Sequence, residues 1–501
     1  MEKERRRSVW EQIRAVESRP LQARRIEGAG AALLIASILL LVTLSEDSPS
    51  AGRFYLGWFG AWAGLVLSIW PHWRTMADPA GVKVPPRSGE RSPVLWWLGV
   101  ALLLRLFALG FEPALSDDIY RYIWDGRVVL AGEDPYASSP DDEGLASLRD
   151  ERWERTAHRD VESVYPPLAQ AAFAAASLFP QPMLGLRVLW LLIDLGTCWL
   201  LIGLAGRWAG SARSSLLYAW NPLVVVEGVG MGHVDVFGVF WLALAMRLGA
   251  GAVEGLAMRE TEDAGSRSWA AAGVGAALAA GVLVKLVPVV LIPLWGALLR
   301  SGRLLASAAI VLVVGSAPVW LGVGVPPGLL RYGVSWEFNG LLFEPLWRLL
   351  DVAAVPDRVK GVLAWLQATY GLDPGPIYPY VYPQFLAKLV LGALLAVAVA
   401  VAAWLAWSGR RSARRALALS GWALAAATAA SATLYPWYLL WLTLFLPVFP
   451  RISLLVLSCS MGFAYLPALA ETEAFPTAWA LVWVPALAAA AVEVWRHRRT
   501  R

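Results

Sequence analysis

The chain has 501 residues, of which 58% are hydrophobic and only 16% charged, with a formal net charge of +5. A soluble domain carries roughly 25% charged and 45–50% apolar residues, so this composition excludes an ordinary soluble fold. The basic residues are scattered over short loops and form no aromatic-lined patch, which excludes a nucleic-acid surface.

The apolar excess falls in runs of about 15–23 residues bounded by Arg, Pro and Gly, the pattern of an all-α, polytopic membrane protein. About fourteen runs can be counted: 28–45, 54–71, 94–111, 184–206, 215–230, 234–250, 269–284, 286–299, 303–323, 386–407, 416–433, 437–450, 452–467 and 477–495. Many of the 28 Trp sit near run ends, where their rings favour the headgroup zone. The charged N-terminus is too long for a signal-peptide n-region, so the first run reads as an uncleaved anchor. Cys198 and Cys459 lie alone inside apolar runs and read as packing residues.

Charge sets the orientation. With a cytoplasmic N-terminus, one face collects residues 1–27, the loops 72–93, 207–214, 247–268, 300–303 and 408–415, Arg451 and the tail RHRRTR. Together these hold 28 of the 43 Lys and Arg. That is a positive-inside bias with both termini cytoplasmic. The opposite, outer face then carries two large loops, about 112–183 and 324–385. The stretch Glu112–Tyr165 holds fourteen acidic residues against six Arg. The apolar segment 166–180 is bounded by Pro at both ends, and is expected as an interfacial or re-entrant helix on that side. Residues 1–93 are expected to form a basic N-terminus with two helices, and 94–501 a second, larger transmembrane unit.

On this topology the unusual polar residues gather at the outer face. Asp117, Asp118, Tyr120, Arg121, Asp125 and Arg127 come from SDDIYRYIWDGR; His233 and Asp235 from GMGHVDVFG; Lys285 from GVLVKLVP. Arg331, Glu337 and Asn339 come from RYGVSWEFNG, Lys388 starts the following span, and Tyr438 lies in LYPWYLLW. Ionisable groups at bilayer depth cost a few kcal/mol, so their convergence points to a site lined by acid and base. Bland roles stand beside the chemical ones. Asp117 or Asp118 can cap the helix starting at Ile119, although two adjacent acids exceed what a cap needs. Asp125 and Arg121, four apart, can pair along a helix. Arg127 and Lys285 can snorkel, Arg331 and Lys388 can anchor at the interface, and Glu227 can bond across helices. The YPPL and YPWY segments read as the starts of helices. Asp117, Asp118, His233 and Asp235 can hold a divalent ion if the fold brings them together; no cofactor is otherwise called for, and no protein partner.

SDDIYRYIWDGRVVLAGEDPY (116–136), YPPLAQ (165–170), NPLVVVEGVGMGHVD (221–235), VKLVPVVLIP (284–293), WEFNG (336–340) and YPWYLLW (435–441) occur in this order. Together, over about 94–450, they resemble the GT-C membrane glycosyltransferases, closest to glycosyltransferase family 87 and the polyprenyl-phosphate-mannose-dependent mannosyltransferases. Residues 1–93 depart from that layout, in which the acidic loop follows the first helix. The resemblance implies a lipid-phosphate sugar donor used from the outer face of the plasma membrane, and a lipid or glycan acceptor. It further implies transfer with inversion, and an acidic base matching Asp117 or Asp118, with Asp235 as a looser second acid. A carboxylate accepts the acceptor hydroxyl's proton, and cations neutralise the leaving phosphate. Lys285 is the first candidate for that task, followed by Arg121, Arg331 and Lys388. Asp125, Arg127, Tyr120, His233, Asp235, Glu337, Asn339 and Tyr438 would support them or hold sugar. A transporter or flippase would place ionisable residues near the midplane, often with repeats. A polyprenyl-linked glycan polymerase or ligase would lean on outer-loop Arg and His rather than on paired Asp.

Overall fold

The computed structural model describes residues 2–47, 49–73, 76, 91–208, 211–258, 264–470 and 475–499. Most of the basic loop 72–93, part of the basic segment 247–268 and the last two residues of the basic tail lie outside these. Among the described residues the chain is all-helical, with isolated β-bridges joining Phe338 and Asn339 to Thr433. Helices of eight residues or more run in this order: α1 (Glu2–Val42), α2 (Ala51–Ile69), α3 (Arg91–Ala108), α4 (Asp118–Leu130), α5 (Pro167–Ser177), α6 (Pro182–Trp208), α7 (Asp235–Met258), α8 (Ala264–Val282), α9 (Leu291–Leu299), α10 (Gly302–Gly315), α11 (Pro327–Ser335), α12 (Phe343–Val352), α13 (Val355–Tyr370), α14 (Pro383–Ser408), α15 (Ala413–Ala430), α16 (Ile452–Ser460) and α17 (Phe475–Arg499).

Seven described stretches are long and apolar enough to cross a bilayer: 21–42, 51–72, 182–208, 235–256, 383–408, 452–470 and 475–499. The apolar stretches 94–108, 269–282, 287–299 and 302–315 are shorter. Several of the apolar runs are not single helices, and two of them are broken throughout. Residues 215–230 form a short turn (Leu216–Ala219) and then a π-helix (Val224–Gly230). Residues 437–450 form one 3₁₀ turn and one short helical turn before the backbone breaks up. Both pieces are almost wholly buried. Irregular backbone is tolerated at membrane depth where protein surrounds it.

Small residues and buried polar contacts hold the bundle. Gly30 and Gly64 let α1 and α2 touch backbone to backbone: a Cβ on Gly64 would lie 2.5 Å from the Leu34 nitrogen. At zero exposure, Arg105 Nε donates to Asp194 (2.6 Å) and Nη1 to the Ala219 carbonyl (2.8 Å), while Tyr218 donates to Asp194 (2.7 Å). This closed set ties α3, α6 and the 216–219 turn together, and its members satisfy one another as buried charges must.

The segments expected on the outer side meet at one end of the bundle. Glu46, in the α1–α2 turn, accepts from the Tyr120 hydroxyl (2.6 Å) and pairs with Arg155 (2.6 Å). Arg331 of α11 pairs with Asp160 (2.5 Å), joining the two large loops. The amide of Leu168 donates to the Leu283 carbonyl (3.0 Å), so the start of α5 rests on the α8–α9 turn that carries Lys285. With 11 residues, α5 is about 16 Å long, roughly half the hydrocarbon thickness, and fits the short Pro-bounded helix expected there. It packs on α4 where Gly126 meets the Phe173 backbone, leaving no room for a Cβ.

Candidate active site

At this end of the bundle lies a cavity of about 510 Å³. Asp117, Asp118 and Arg121 of the α4 start, His158, Tyr165, Tyr332, Trp336, Tyr435, Trp437, Tyr438 and Tyr465 are among its walls. Asp117 occupies the N-cap position of α4, but its side chain makes no capping hydrogen bond, and it is open to the cavity. Enclosure by the cavity, and then the charge of Asp118, push its carboxyl above the usual range.

Asp118 is held from behind. Tyr122, one turn along α4, donates to it at 3.2 Å, and His233 Nδ1 lies 3.6 Å away. Burial pushes this carboxyl up. The imidazole contact, the imidazole charge and the charge of Lys285 outweigh that push and hold it below its ordinary value.

His233 owes its position to its neighbours in sequence. Gly232 turns the chain at φ +80°, a left-handed conformation that glycine adopts without strain, and its carbonyl accepts from Trp190 (2.8 Å). The imidazole is wholly buried and stacks on Trp437 at 3.8 Å. Its Nε2 faces Glu227 at 3.4 Å, and the Tyr465 hydroxyl meets both Glu227 oxygens at 2.9 Å. Burial lowers the imidazole's proton affinity, but Asp118 and Glu227 on either side raise it to a net upward shift. The π-helix widens the turn that carries Glu227, as such segments do at functional sites. The stack continues from Trp437 through Tyr435 (4.7 Å) to Phe338 (4.6 Å), forming one aromatic wall.

The remaining candidates divide. Arg121 Nε pairs with Asp125 (2.8 Å) and Nη1 donates to the His158 carbonyl (3.2 Å). Its Nη2 is buried at the cavity wall with no hydrogen-bond partner among the described residues. Asp125 is consumed by this pair and by Ser163 (2.5 Å) and Gln170 (3.0 Å), so it shapes α4 and is not among the walls of this cavity. Arg127 binds Asp150 (2.7 Å) and the Leu148 carbonyl (2.8 Å), and Tyr120 is bound to Glu46. Lys285 meets both Asp235 oxygens, at 3.0 and 2.9 Å, and sits 3.7 Å above the Tyr438 ring. Asp235 is wholly buried and also accepts from Trp441 (2.6 Å). Tyr438 shares a hydrogen bond with Tyr332 (2.6 Å). Arg331 is bound to Asp160 at the loop junction. Lys388 pairs with Glu337 (3.1 Å), which with Asn339 lines a different cavity. Among the described residues, no group of three or more His, Cys, Asp or Glu side chains is arranged to hold a metal ion.

The model of the alpha-(1->6)-mannopyranosyltransferase N-terminal domain family matches residues 29–301, more than half of the chain. The chain belongs to this family. No curated protein and no solved structure matches it. The molecule is thus a membrane-embedded mannosyltransferase, in keeping with the GT-C resemblance. The match starts inside α1, so the end of α1 and all of α2 fall within it. It supplies Asp117, Asp118, Glu227, His233, Asp235 and Lys285. The aromatic wall of Phe338, Tyr435 and Trp437, with Tyr332 and Tyr465, comes from beyond it.

The sequence alone singled out none of Tyr465, His158, Tyr332 and Trp437, and left Glu227 as a helix-bridging acid. For Trp437 and Tyr435 a signal was present in YPWY. For Tyr465 none was, since its partner Glu227 lies 238 residues away.

Proposed function

We propose that this mannosyltransferase uses a polyprenyl-phosphate mannose donor on the outer face of the plasma membrane and forms an α-(1→6) bond to a glycan or lipid acceptor, with Asp118 as base. The observation that carries the reading is the preorganised carboxylate: Asp118 borders the cavity, oriented by Tyr122 and His233, while Asp117 beside it has no such support. A base needs a fixed direction as well as an ionised oxygen. Asp117, open to the cavity, hydrogen-bonds the acceptor hydroxyls.

In the reaction the acceptor's 6-oxygen attacks the anomeric carbon as Asp118 takes its proton. The bond from that carbon to the phosphate oxygen breaks, and polyprenyl phosphate leaves with the electron pair. Inversion that ends in an α-linkage requires a β-configured donor. Arg121 Nη2 faces the developing phosphate charge, where a fixed cation contributes most. His233, whose proton affinity Asp118 and Glu227 raise, helps to keep Asp118 ionised before the attack. Lys285 neutralises Asp235 and fixes Tyr438. The aromatic wall offers flat faces for the sugar. The outer-face reading rests on the basic-residue bias and on the gathering of the expected outer segments at the cavity's end. A span count near fourteen, with the shorter and broken apolar stretches included, fits that bias.

The test supplies purified protein with polyprenyl-phosphate mannose or with a nucleotide-linked mannose, plus mannoside acceptors. Transfer from the lipid donor alone, giving an α-(1→6) product by NMR, is expected. Transfer from the nucleotide donor alone would overturn the donor assignment.

A further inference from the structure

A second cavity of about 490 Å³ shares a wall with the first through Phe338, Ala464, Pro467 and Phe475. Its volume falls in the range of small-molecule sites, about 300–1,000 Å³. Its chemistry differs from that of the first. Trp347 and Trp479 line it, each with its indole N–H bound: Trp347 to Glu344 (3.1 Å) and Trp479 to the Gly340 carbonyl (3.0 Å). Both rings are therefore fixed in orientation. The charged groups are paired, Glu344 with Arg348 (3.0 Å) and Glu337 with Lys388 (3.1 Å). The Asn339 side-chain oxygen is buried without a hydrogen-bond partner among the described residues. Asn339 itself is held at φ +56°, between the bridges to Thr433 and the Trp483 indole, which donates to its carbonyl (3.0 Å).

We infer that this cavity binds the preceding pyranose units of a neutral oligosaccharide acceptor, so that the enzyme recognises more than the sugar it extends. A pyranose presents an apolar C–H face, which suits a fixed indole, and a ring of hydroxyls, which suits paired carboxylates and a spare amide oxygen. Charges already paired give no purchase to a phosphate, whereas the unpartnered Arg121 nitrogen of the first cavity does. Most of the remaining lining is apolar, but a polyprenyl tail would leave the Asn339 oxygen unmet, whereas a sugar hydroxyl donates to it. The shared wall directs the end of a saccharide seated here toward Asp117 and Asp118. The inference rests on the proposed transfer reaction for its direction.

The test compares methyl α-mannoside with α-(1→6)-linked mannobiose and mannotriose as acceptors for the purified full chain. Binding of mannotriose is read separately, by calorimetry on the Asp118→Asn variant with no turnover. Wild type should prefer the oligosaccharides in kcat/KM. Trp347→Ala and Glu344→Gln should each shrink that preference about tenfold and weaken mannotriose binding in the Asp118→Asn background by a similar factor. Arg348→Lys, which keeps the charge pair, should retain most of the preference. An unchanged preference in both variants overturns the inference. So does a donor KM that becomes dependent on polyprenyl length, which would assign the cavity to the lipid. Calorimetric binding that responds as expected, with no mannose transfer by wild type, would keep the cavity assignment and instead sink the proposed reaction.

Discussion

Lys285→Met should act first on stability and chiefly through it on catalysis. Lys285 is bound to both oxygens of Asp235, a carboxylate of zero exposure whose other partner is the Trp441 indole. Removing the ammonium leaves that carboxylate buried with no opposite charge in direct contact. Breaking one partner of a buried pair costs about 3–5 kcal/mol. Asp235→Asn costs less, because the Lys285 side chain keeps 18% exposure and can turn toward water. The double variant Lys285→Met/Asp235→Asn removes both charges and leaves a neutral amide for the Trp441 N–H to meet. A double-mutant cycle isolates the coupling. Thermal midpoints in detergent, read by fluorescence-detected size exclusion, should fall most for Lys285→Met and recover in the double variant. Transfer should recover with them. If the double variant regains its midpoint but stays inactive, Lys285 touches the phosphate directly and its role as a counter-ion alone is wrong.

Other outcomes follow from the same geometry. His233 has its proton affinity raised by Asp118 and Glu227, so its charge stabilises the fold fully below the ordinary imidazole value, about 6.5. That stability is lost as pH rises through the raised folded value. Thermal midpoints should therefore decline as pH rises above about 6.5 in wild type, and His233→Gln should flatten that slope. Gly126→Val forces a side chain into the Phe173 backbone and should cost about 1–3 kcal/mol, separating α4 from α5 and cutting transfer; an unchanged midpoint would contradict the packing. Arg121→Lys keeps a charge but loses the planar fork that serves Asp125, the His158 carbonyl and the cavity together. It should raise the donor KM more than the acceptor KM, and steady-state kinetics with each substrate varied in turn would show the reverse if Arg121 served the acceptor.

The all-helical membrane fold was legible because apolar runs and basic loops are local signals. Asp117 and Asp118 stood out for the same reason, two acids beside an apolar run in one short segment. What failed to show was pairing at long range. The sequence offered Lys285 as a free cation, because its partner Asp235 lies 50 residues away in another segment. Arg331 and Lys388 looked equally available, yet each meets an acid from elsewhere in the chain. Residues 215–230 and 437–450 read as plain apolar runs, because hydropathy does not register that their backbone leaves the regular helix where protein surrounds it. Trp347 and Trp479 carried no motif, and only folding brings them onto one cavity.

The most direct test of the base assignment is the release of polyprenyl phosphate from its β-mannosyl donor by wild type, Asp118→Asn and Asp117→Asn, with folding checked by thermal midpoint. The account predicts a loss of kcat of about 10²–10⁴-fold in Asp118→Asn, and chiefly a raised acceptor KM in Asp117→Asn. Retained turnover in Asp118→Asn with its loss in Asp117→Asn would contradict the assignment.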